Sequence, residues 1–295
     1  MNFRSDLALE CREPLRSQPE GLAWSEERRG EIRVSRVQVT SAAAAQAMGK
    51  PQGHYVTLDV PPFGESADIF GEALDCAARE LAALVPPAGT VLVVGLGNDG
   101  ITPDALGPRC CAQVLATRHL GGELAKAAGM ENLRPVACLA AGVLGRTGME
   151  SGEWIAAAVR VLEPVAVITI DALAARRLAR LGCTVQLADS GIIPGSGVGN
   201  ARKAITPEAL GRPVISVGVP TVVDAATLAV DLLEQSGAQL PEAVLRRALA
   251  PGGAQMMVTP REVDLLIERA AKLLAMAINC ALHPGWQPED FLALV

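Results

Sequence analysis

Aromatic residues are scarce in this 295-residue chain, with one Tyr, three Trp and four Phe making up 3% of it. A core with so few rings has to be filled by Ala, Leu and Val, which favours helices packed closely on a sheet. Histidine is almost as rare: His54, His119 and His283 fall in unrelated contexts. Neither an H-E-x-x-H nor a G-x-S-x-G string occurs, which argues against a His-rich zinc site and a Ser-His-Asp triad. No apolar run approaches the ~20 residues of a membrane helix; the longest, such as Val165 to Ile170, are of strand length. The opening residues MNFRSDLALECRE alternate charged with apolar side chains and hold no continuous hydrophobic region, so no signal peptide, no membrane partner and a cytoplasmic location are expected. Excess positive charge is missing too. At a formal net charge of -6 the chain offers no cationic face for direct contact with nucleic acid. The seven cysteines are odd in number and form no C-x-x-C, and the adjacent Cys110 and Cys111 are badly placed to bridge each other. They read as buried thiols in a reducing compartment.

What is present is hydrophobicity, at 50% of residues, enough for one sizeable core at this length. Thr90 to Val94, Val165 to Ile170 and Val214 to Val219 are continuously apolar and β-branched. Strands of that kind are buried on both faces, as in a parallel sheet covered by helices. Ala137 to Ala140 and Thr184 to Ala188 read as further strands, the second at an edge. Val34 to Thr40 and Tyr55 to Val60 alternate and suggest a more exposed, antiparallel addition. Helices are expected over about 66–85, 103–120, 151–162, 172–181, 223–236, 241–249 and 260–282. In the last, Thr259 and Pro260 supply an N-cap and first-turn pair, and Val263, Leu266, Ile267, Ala270, Leu273, Leu274 and Ala277 form one stripe. The fold class is therefore α/β, a doubly wound, mostly parallel sheet with helices on both faces.

Two acids stand where such sheets bind ligands, beyond the C-terminal ends of their strands. Gly95-Leu96-Gly97-Asn98-Asp99-Gly100 follows one buried strand. It matches G-x-G-x-x-G in form, but the helix starts later, at Thr102-Pro103-Asp104, and no acid follows at the dinucleotide spacing. The glycines are better read as a sharp turn that presents Asp104 at a helix start, where the dipole favours a carboxylate. Asp171 closes the apolar strand VAVITI. Taken singly, each acid could be an ordinary helix-start residue. If the strands are neighbours, the two face one crevice, one keeps a proton as general acid and the other activates water. A third segment, Asp189 to Asn200, is rich in glycine and precedes Arg202 and Lys203. Gly195, Ser196, Gly197, Asn200 and Lys203, with Gly97 and Asn98 from the first loop, are candidate substrate-backbone or oxyanion contacts. Asp224 is either a third acid at this edge or a helix start. Lys50, in the turn Met48-Gly49-Lys50-Pro51, is either a contact residue or, the better reading, a solvated loop lysine, and His119 reads as a helix-end cation.

These segments closely resemble the germination protease family of bacterial endospores. The resemblance runs through Arg4-Ser5-Asp6-Leu7-Ala8, Gly49-Lys50-Pro51, Val94 to Asn98, TPDALGP at 102–108, Thr117 to Leu120, Ile170 to Ala174, Gly191 to Lys203, Gly218 to Ala225 and Met257 to Pro260, nearly the whole chain. It implies a homotetrameric endopeptidase of hydrogenase-maturation protease-like fold that needs no cofactor or metal. Its substrates would be the small acid-soluble proteins of the spore core. It also implies an atypical aspartic mechanism, whose two aspartates fall at Asp104 and Asp171, and a zymogen that removes its own N-terminal segment. An acid followed by a large apolar residue and Ala marks that cleavage site, so cleavage between Asp6 and Leu7 is expected. Residues 1–6 would be the pro-segment and 7–295 a single peptidase domain with 260–282 as a covering helix. Two departures from the family are a short pro-segment and a shortened stretch from Asp231 to Leu249. The competing readings are a metal-dependent maturation-type peptidase on the same fold and a nucleotide-binding protein built on Gly95 to Gly100.

Overall fold

The computed structural model describes the chain except for residues 1–4, 16, 66–69, 121–125, 127–129, 131, 196–201, 238–243, 245–255 and 294–295. In chain order the elements are α1 (Ala8–Arg12), β1 (Leu22–Arg29), β2 (Ile32–Val39), α2 (Ala42–Met48), β3 (Gly53–Asp59), α3 (Glu72–Leu84) and β4 (Val91–Gly95). A 3-10 turn (Thr102–Asp104) leads to α4 (Leu106–Cys111), β5 (Val136–Ala140), α5 (Leu144–Thr147), α6 (Ser151–Leu162) and β6 (Ala166–Ala175). A second 3-10 turn (Leu178–Arg180) precedes β7 (Thr184–Ala188), α7 (Pro207–Leu210), β8 (Val214–Asp224), α8 (Ala225–Gln235), β9 (Met257–Val258), α9 (Val263–Leu282) and α10 (Pro288–Leu292).

The strands form one sheet in the order β1-β2-β3-β7-β8-β6-β4-β5, with β9 paired to β8. Its centre is parallel: β4 runs with β5 and β6, and β6 with β8. These are the continuously apolar strands, buried on both sides as expected of parallel strands under helices. Period-two alternation sends Val91 and Val93 to one face, against α3, α4 and α9, and Leu92 and Val94 to the other, against Ile155 and Val159 of α6. The alternating N-terminal segments are antiparallel, β1 on β2, β2 on β3 and β3 on β7. Helix α6 begins where expected, held by a capping box between Glu150 and Glu153. Helix α9 buries its stripe on the sheet beside α3 and α4.

Several expectations are corrected. Thr184 to Ala188 is an interior strand between β3 and β8, because the antiparallel hairpin lies outside it and extends the sheet. No helix spans 172–181. Strand β6 continues to Ala175, since this stretch finds both a β8 partner and apolar cover on its own face. The helix expected over 103–120 stops at Cys111, so His119 lies in a turn instead of at a helix end. The helix expected at 66–85 covers Glu72–Leu84, and α9 starts at Val263 with Glu262 as its N-cap. The helix expected at 241–249 lies, but for Val244, outside the described residues.

At the top of the parallel strands two backbones approach unusually closely. A Cβ built on Gly107, at the start of α4, would lie 2.3 Å from the Leu96 carbonyl oxygen and 2.6 Å from that of Ile170, and one on Gly95 would lie 2.3 Å from the Gly107 carbonyl oxygen. The atoms obstructing a Cβ on Gly107 are all main chain and cannot swing aside. Gly107→Ala is therefore expected to destabilise the chain by about 1–3 kcal/mol or more. Gly145→Ala, where nothing lies within 4 Å, should stay within ~0.5 kcal/mol. Urea unfolding of both variants checks this, and equal midpoints would refute the tight-approach account.

Candidate active site

The register places the two acids. β4 ends at Gly95, opposite Ile170 of β6, while β6 runs on to Ala175. Asp171 is thus the first residue of a stretch that has outrun its β4 neighbour. Leu96 N–H closes the seam on the Ile170 carbonyl at 2.8 Å, and the chain then turns back across the strand ends. At Gly97, φ is +106°, and a Cβ there would sit 2.0 Å from the Asp104 carbonyl oxygen, so only glycine fits. The turn returns Asp104 to the loop that delivered it: Asn98 N–H donates to Asp104 Oδ2 at 2.7 Å. From β8, the Thr221 hydroxyl donates to the Pro103 carbonyl at 2.7 Å and fixes the turn from the other side.

Asp104 and Asp171 line one cavity of about 370 Å³, together with Asp6, Ile101, Pro103, Ala172, Leu173, Ile192, Ile193, Gly195, Thr221, Val222 and Met257. Their environments differ. Burial, the charge of Asp104 and the charge of Asp6 hold the Asp171 carboxyl well above the usual carboxylate range, opposed by the Ala172 N–H on its Oδ1 at 2.9 Å. Burial also raises Asp104, but the Asn98 N–H and the positive charge of Arg202 pull it back. Asp171 is therefore the better holder of a proton and Asp104 the better holder of charge.

The N-terminal segment enters this cavity. Asp6 N–H donates to the Ala174 carbonyl at 2.9 Å, and Ala174 N–H to Asp6 Oδ2 at 2.8 Å. Leu7 is fully buried against Leu173, Ala175 and Val223. Leu173 and Ala175 share the β6 face of Asp171, two and four residues on. Glu10, in α1, anchors the segment to the end of β6: its carboxylate accepts Arg176 N–H at 2.7 Å, Arg177 N–H at 2.9 Å and the Ser5 hydroxyl. Lys50 reaches the same segment and is no solvated loop residue. Its Nζ lies 2.9 Å from the Asp6 carbonyl oxygen and 3.2 Å from that of Ser5.

The remaining candidates are spread out. Gly195 lines the cavity, whereas Ser196, Gly197 and Asn200 lie outside the described residues. Lys203 runs along Gly152 at the start of α6, its Cδ 3.7 Å from where a Cβ there would stand. Asp224 is the N-cap of α8, accepting Thr227 N–H and hydroxyl at 2.9 Å. Asn98 spends its main-chain N–H on Asp104, and its side-chain oxygen accepts Gly100 N–H at 3.0 Å. The main-chain N–H groups of Leu96, Asn98, Gly100 and Ile101 are thus already engaged within the chain. Among the described residues, no group of three or more His, Cys, Asp and Glu side chains is placed to hold a metal ion, and no helix is long and apolar enough to cross a membrane. Lys50, Gln186, Glu10 and Thr221 are contacts the sequence reading missed. For Lys50 a signal existed: the turn residue Gly49, which at φ +61° ends α2 and throws the next side chain off the helix axis.

A profile of the germination protease family matches residues 6–241 and 234–293. The germination protease of Caldanaerobacter subterraneus subsp. tengcongensis is 41% identical over 321 residues, covering 100% of this chain and 98% of that protein. Those of Clostridium perfringens and Priestia megaterium are 39% and 35% identical, each covering 98% of this chain, and 98% and 96% of their own length. Among solved structures, a NiFe hydrogenase maturation protease from Thermococcus kodakarensis aligns at 16% identity and a TM-score of 0.37, covering 68% of this chain and 98% of that one.

The raised proton affinity of Asp171 has a thermodynamic consequence. An unfolded Asp titrates near ~3.9, and the folded one well above that. Between those values the folded state binds more protons, so stability falls as pH rises through the window. Asp171→Asn keeps an acceptor for Ala172 N–H and removes the titration. The variant should be more stable than the parent at pH 8, with the gap closing towards pH 4. Urea unfolding at both pH values checks this, and a gap that does not change with pH would contradict it.

Proposed function

The chain belongs to the germination protease family, and on that premise we propose that it is an atypical aspartic endopeptidase acting on the small acid-soluble proteins of the spore core, with Asp104 and Asp171 as its catalytic pair. The coarser statement stands by membership: it is a peptidase of the spore-germination class. The finer reading is carried by one observation. In the sequence Asp6-Leu7-Ala8, an acid followed by a large apolar residue and Ala, Asp6 lines the cavity of the two unequal carboxyls while Leu7 and Ala8 are buried directly after it.

In this reading Asp104, whose charge is favoured by Asn98 N–H and Arg202, takes a proton from water. The water oxygen adds to the carbonyl carbon of the residue in the Asp6 position. Asp171 then gives its proton to the departing amide nitrogen as the C–N bond breaks, leaving a carboxylate and an amine. The buried site of Leu7 accounts for a large apolar residue after the cleaved bond. Applied to the chain itself, the same chemistry makes residues 1–6 a self-removed pro-segment ahead of a single domain, 7–295. We extend the proposal to a homotetramer, on the family resemblance alone.

Asp104→Asn and Asp171→Asn should each lower cleavage of a small acid-soluble spore protein by about 10²–10⁴-fold without loss of fold, and neither should process its own N-terminus. Protein matured in sporulating cells should begin at Leu7 by N-terminal sequencing. A wild-type rate in either Asn variant rejects the pair, and inhibition by a chelator that added metal reverses would favour the metal-dependent alternative. The pH–rate profile should be bell-shaped, the acid limb falling as Asp104 gains a proton and the alkaline limb as Asp171 loses one. Static light scattering should return four times the protomer mass.

A further inference from the structure

The Asp6 carbonyl is held from β7, which lies across β8 and β6 from β4 and the loop that carries Asp104. β7 carries Gln186, a buried side chain whose Nε2 donates to the Asp6 carbonyl oxygen at 2.9 Å while its Oε1 accepts Ala8 N–H at 2.6 Å. Its amide therefore spans the Asp6–Leu7 bond, gripping the carbonyl on one side and the second N–H on the other. Lys50 Nζ completes a two-donor cradle at 2.9 Å. Nothing about the cradle is loose. Gly49 in the left-handed region lets Lys50 N–H return to the Ala45 carbonyl at 3.2 Å, and the Tyr55 hydroxyl, from a side chain only 3% exposed, fastens the Pro51 carbonyl at 2.7 Å.

We infer that Lys50 and Gln186 are catalytic residues that stabilise the oxyanion formed at the carbonyl of the residue before the cleaved bond. The inference rests on the reading of Asp6–Leu7 as a bond the enzyme cleaves. Two donors at 2.9 Å match the spacing at which oxyanion holes act; Lys50 and Gln186 line a second cavity of about 350 Å³ that shares Asp6 with the cavity of the catalytic pair, and an ammonium fixed there favours the developing charge more than the neutral ground state. As water adds at the carbonyl carbon, the π pair moves to the oxygen, whose new negative charge faces Lys50 Nζ and the Gln186 amide. When the C–N bond breaks, the carbonyl reforms and the cradle is restored. The same two groups would receive a substrate protein, with Gln186 fixing the register by reading the carbonyl and the N–H two residues later together. This assigns the cradle to neither glycine loop, the places from which the sequence suggested oxyanion contacts.

The test uses the full chain bearing Lys50→Met, Lys50→Arg or Gln186→Leu. It follows the first-order rate of self-cleavage by intact mass, and kcat and KM on a small acid-soluble spore protein. Lys50→Met and Gln186→Leu should each lose about 10²–10³-fold in kcat and in the self-cleavage rate, with KM within a few-fold, and Lys50→Arg should recover part of the loss. Rates within threefold of wild type, or a loss confined to KM, overturn the proposal; the second outcome would make the cradle a binding contact only. Melting temperature certifies the fold, and should Lys50→Met fail to fold, Gln186→Leu carries the test. Asp171→Asn in parallel separates the two claims. If it is inactive while Lys50→Met is active, the cradle alone fails; if it is active, the catalytic-pair reading fails whatever Lys50 does.

Discussion

The seating of Gly107 against Gly95 is the contact on which the upper half of the molecule depends. Because neither residue carries a Cβ, the first turn of α4 rests directly on the ends of β4 and β6, with main-chain atoms where side chains would otherwise stand. That closeness has a purpose only because β6 continues past the last β4 residue. A strand that ended with its neighbour would leave Asp171 at a ragged edge in solvent. One that overshoots under a folded-back loop keeps Asp171 7% exposed and delivers Asp104 to the same cavity. Thr221 belongs to the same construction, since its hydrogen bond to Pro103 ties the returning turn to β8 on the far side of β6.

Burial alone would raise both carboxyls together and give the pair no direction. The asymmetry comes from what each receives in return. Asp104 accepts a main-chain N–H from Asn98 and feels Arg202, while Asp171 has the Ala172 N–H of its own strand and two neighbouring acids. The Asn98 N–H comes from the Gly95 to Gly100 loop. Its glycines bend the chain so that the donor points back at the acid it has just presented.

Much of this frame could be read from residue patterns. Continuous β-branched runs gave the parallel centre, alternation gave the antiparallel flank, and the acids after apolar strands pointed to the cavity that Asp104 and Asp171 line. What could not be read were features set by partners distant in sequence. β6 looked as if it should yield to a helix after Asp171, since Ala-Leu-Ala-Ala has high helix propensity. It stays extended because Leu7, from the far N-terminal end of the chain, and Val223 cover its face, a tertiary override of local preference. The interior place of β7 was hidden in the same way, because it depends on how β3 docks. Lys50 and Gln186 carry no local mark of their work either. A lysine after a helix-ending glycine and a glutamine in an apolar strand acquire a role only when Asp6 is laid between them.

The charge of Asp6 links the substrate segment to the proton inventory of the site. It is one of the forces raising Asp171, so an acid placed before the bond proposed to be cleaved holds the proton on the group proposed to donate it. A neutral residue there would leave Asp171 with less reason to stay protonated, and the leaving nitrogen with a poorer acid. Lys50 lies on the carbonyl oxygen of that same residue while its carboxylate accepts from Ala174 on β6, so positive charge is directed at the atom where, in the proposed reaction, negative charge would develop. Under the proposed chemistry, recognition of an acid and preparation for catalysis would be the same electrostatic event, which would give the Asp-Leu-Ala pattern a physical reason beyond fit.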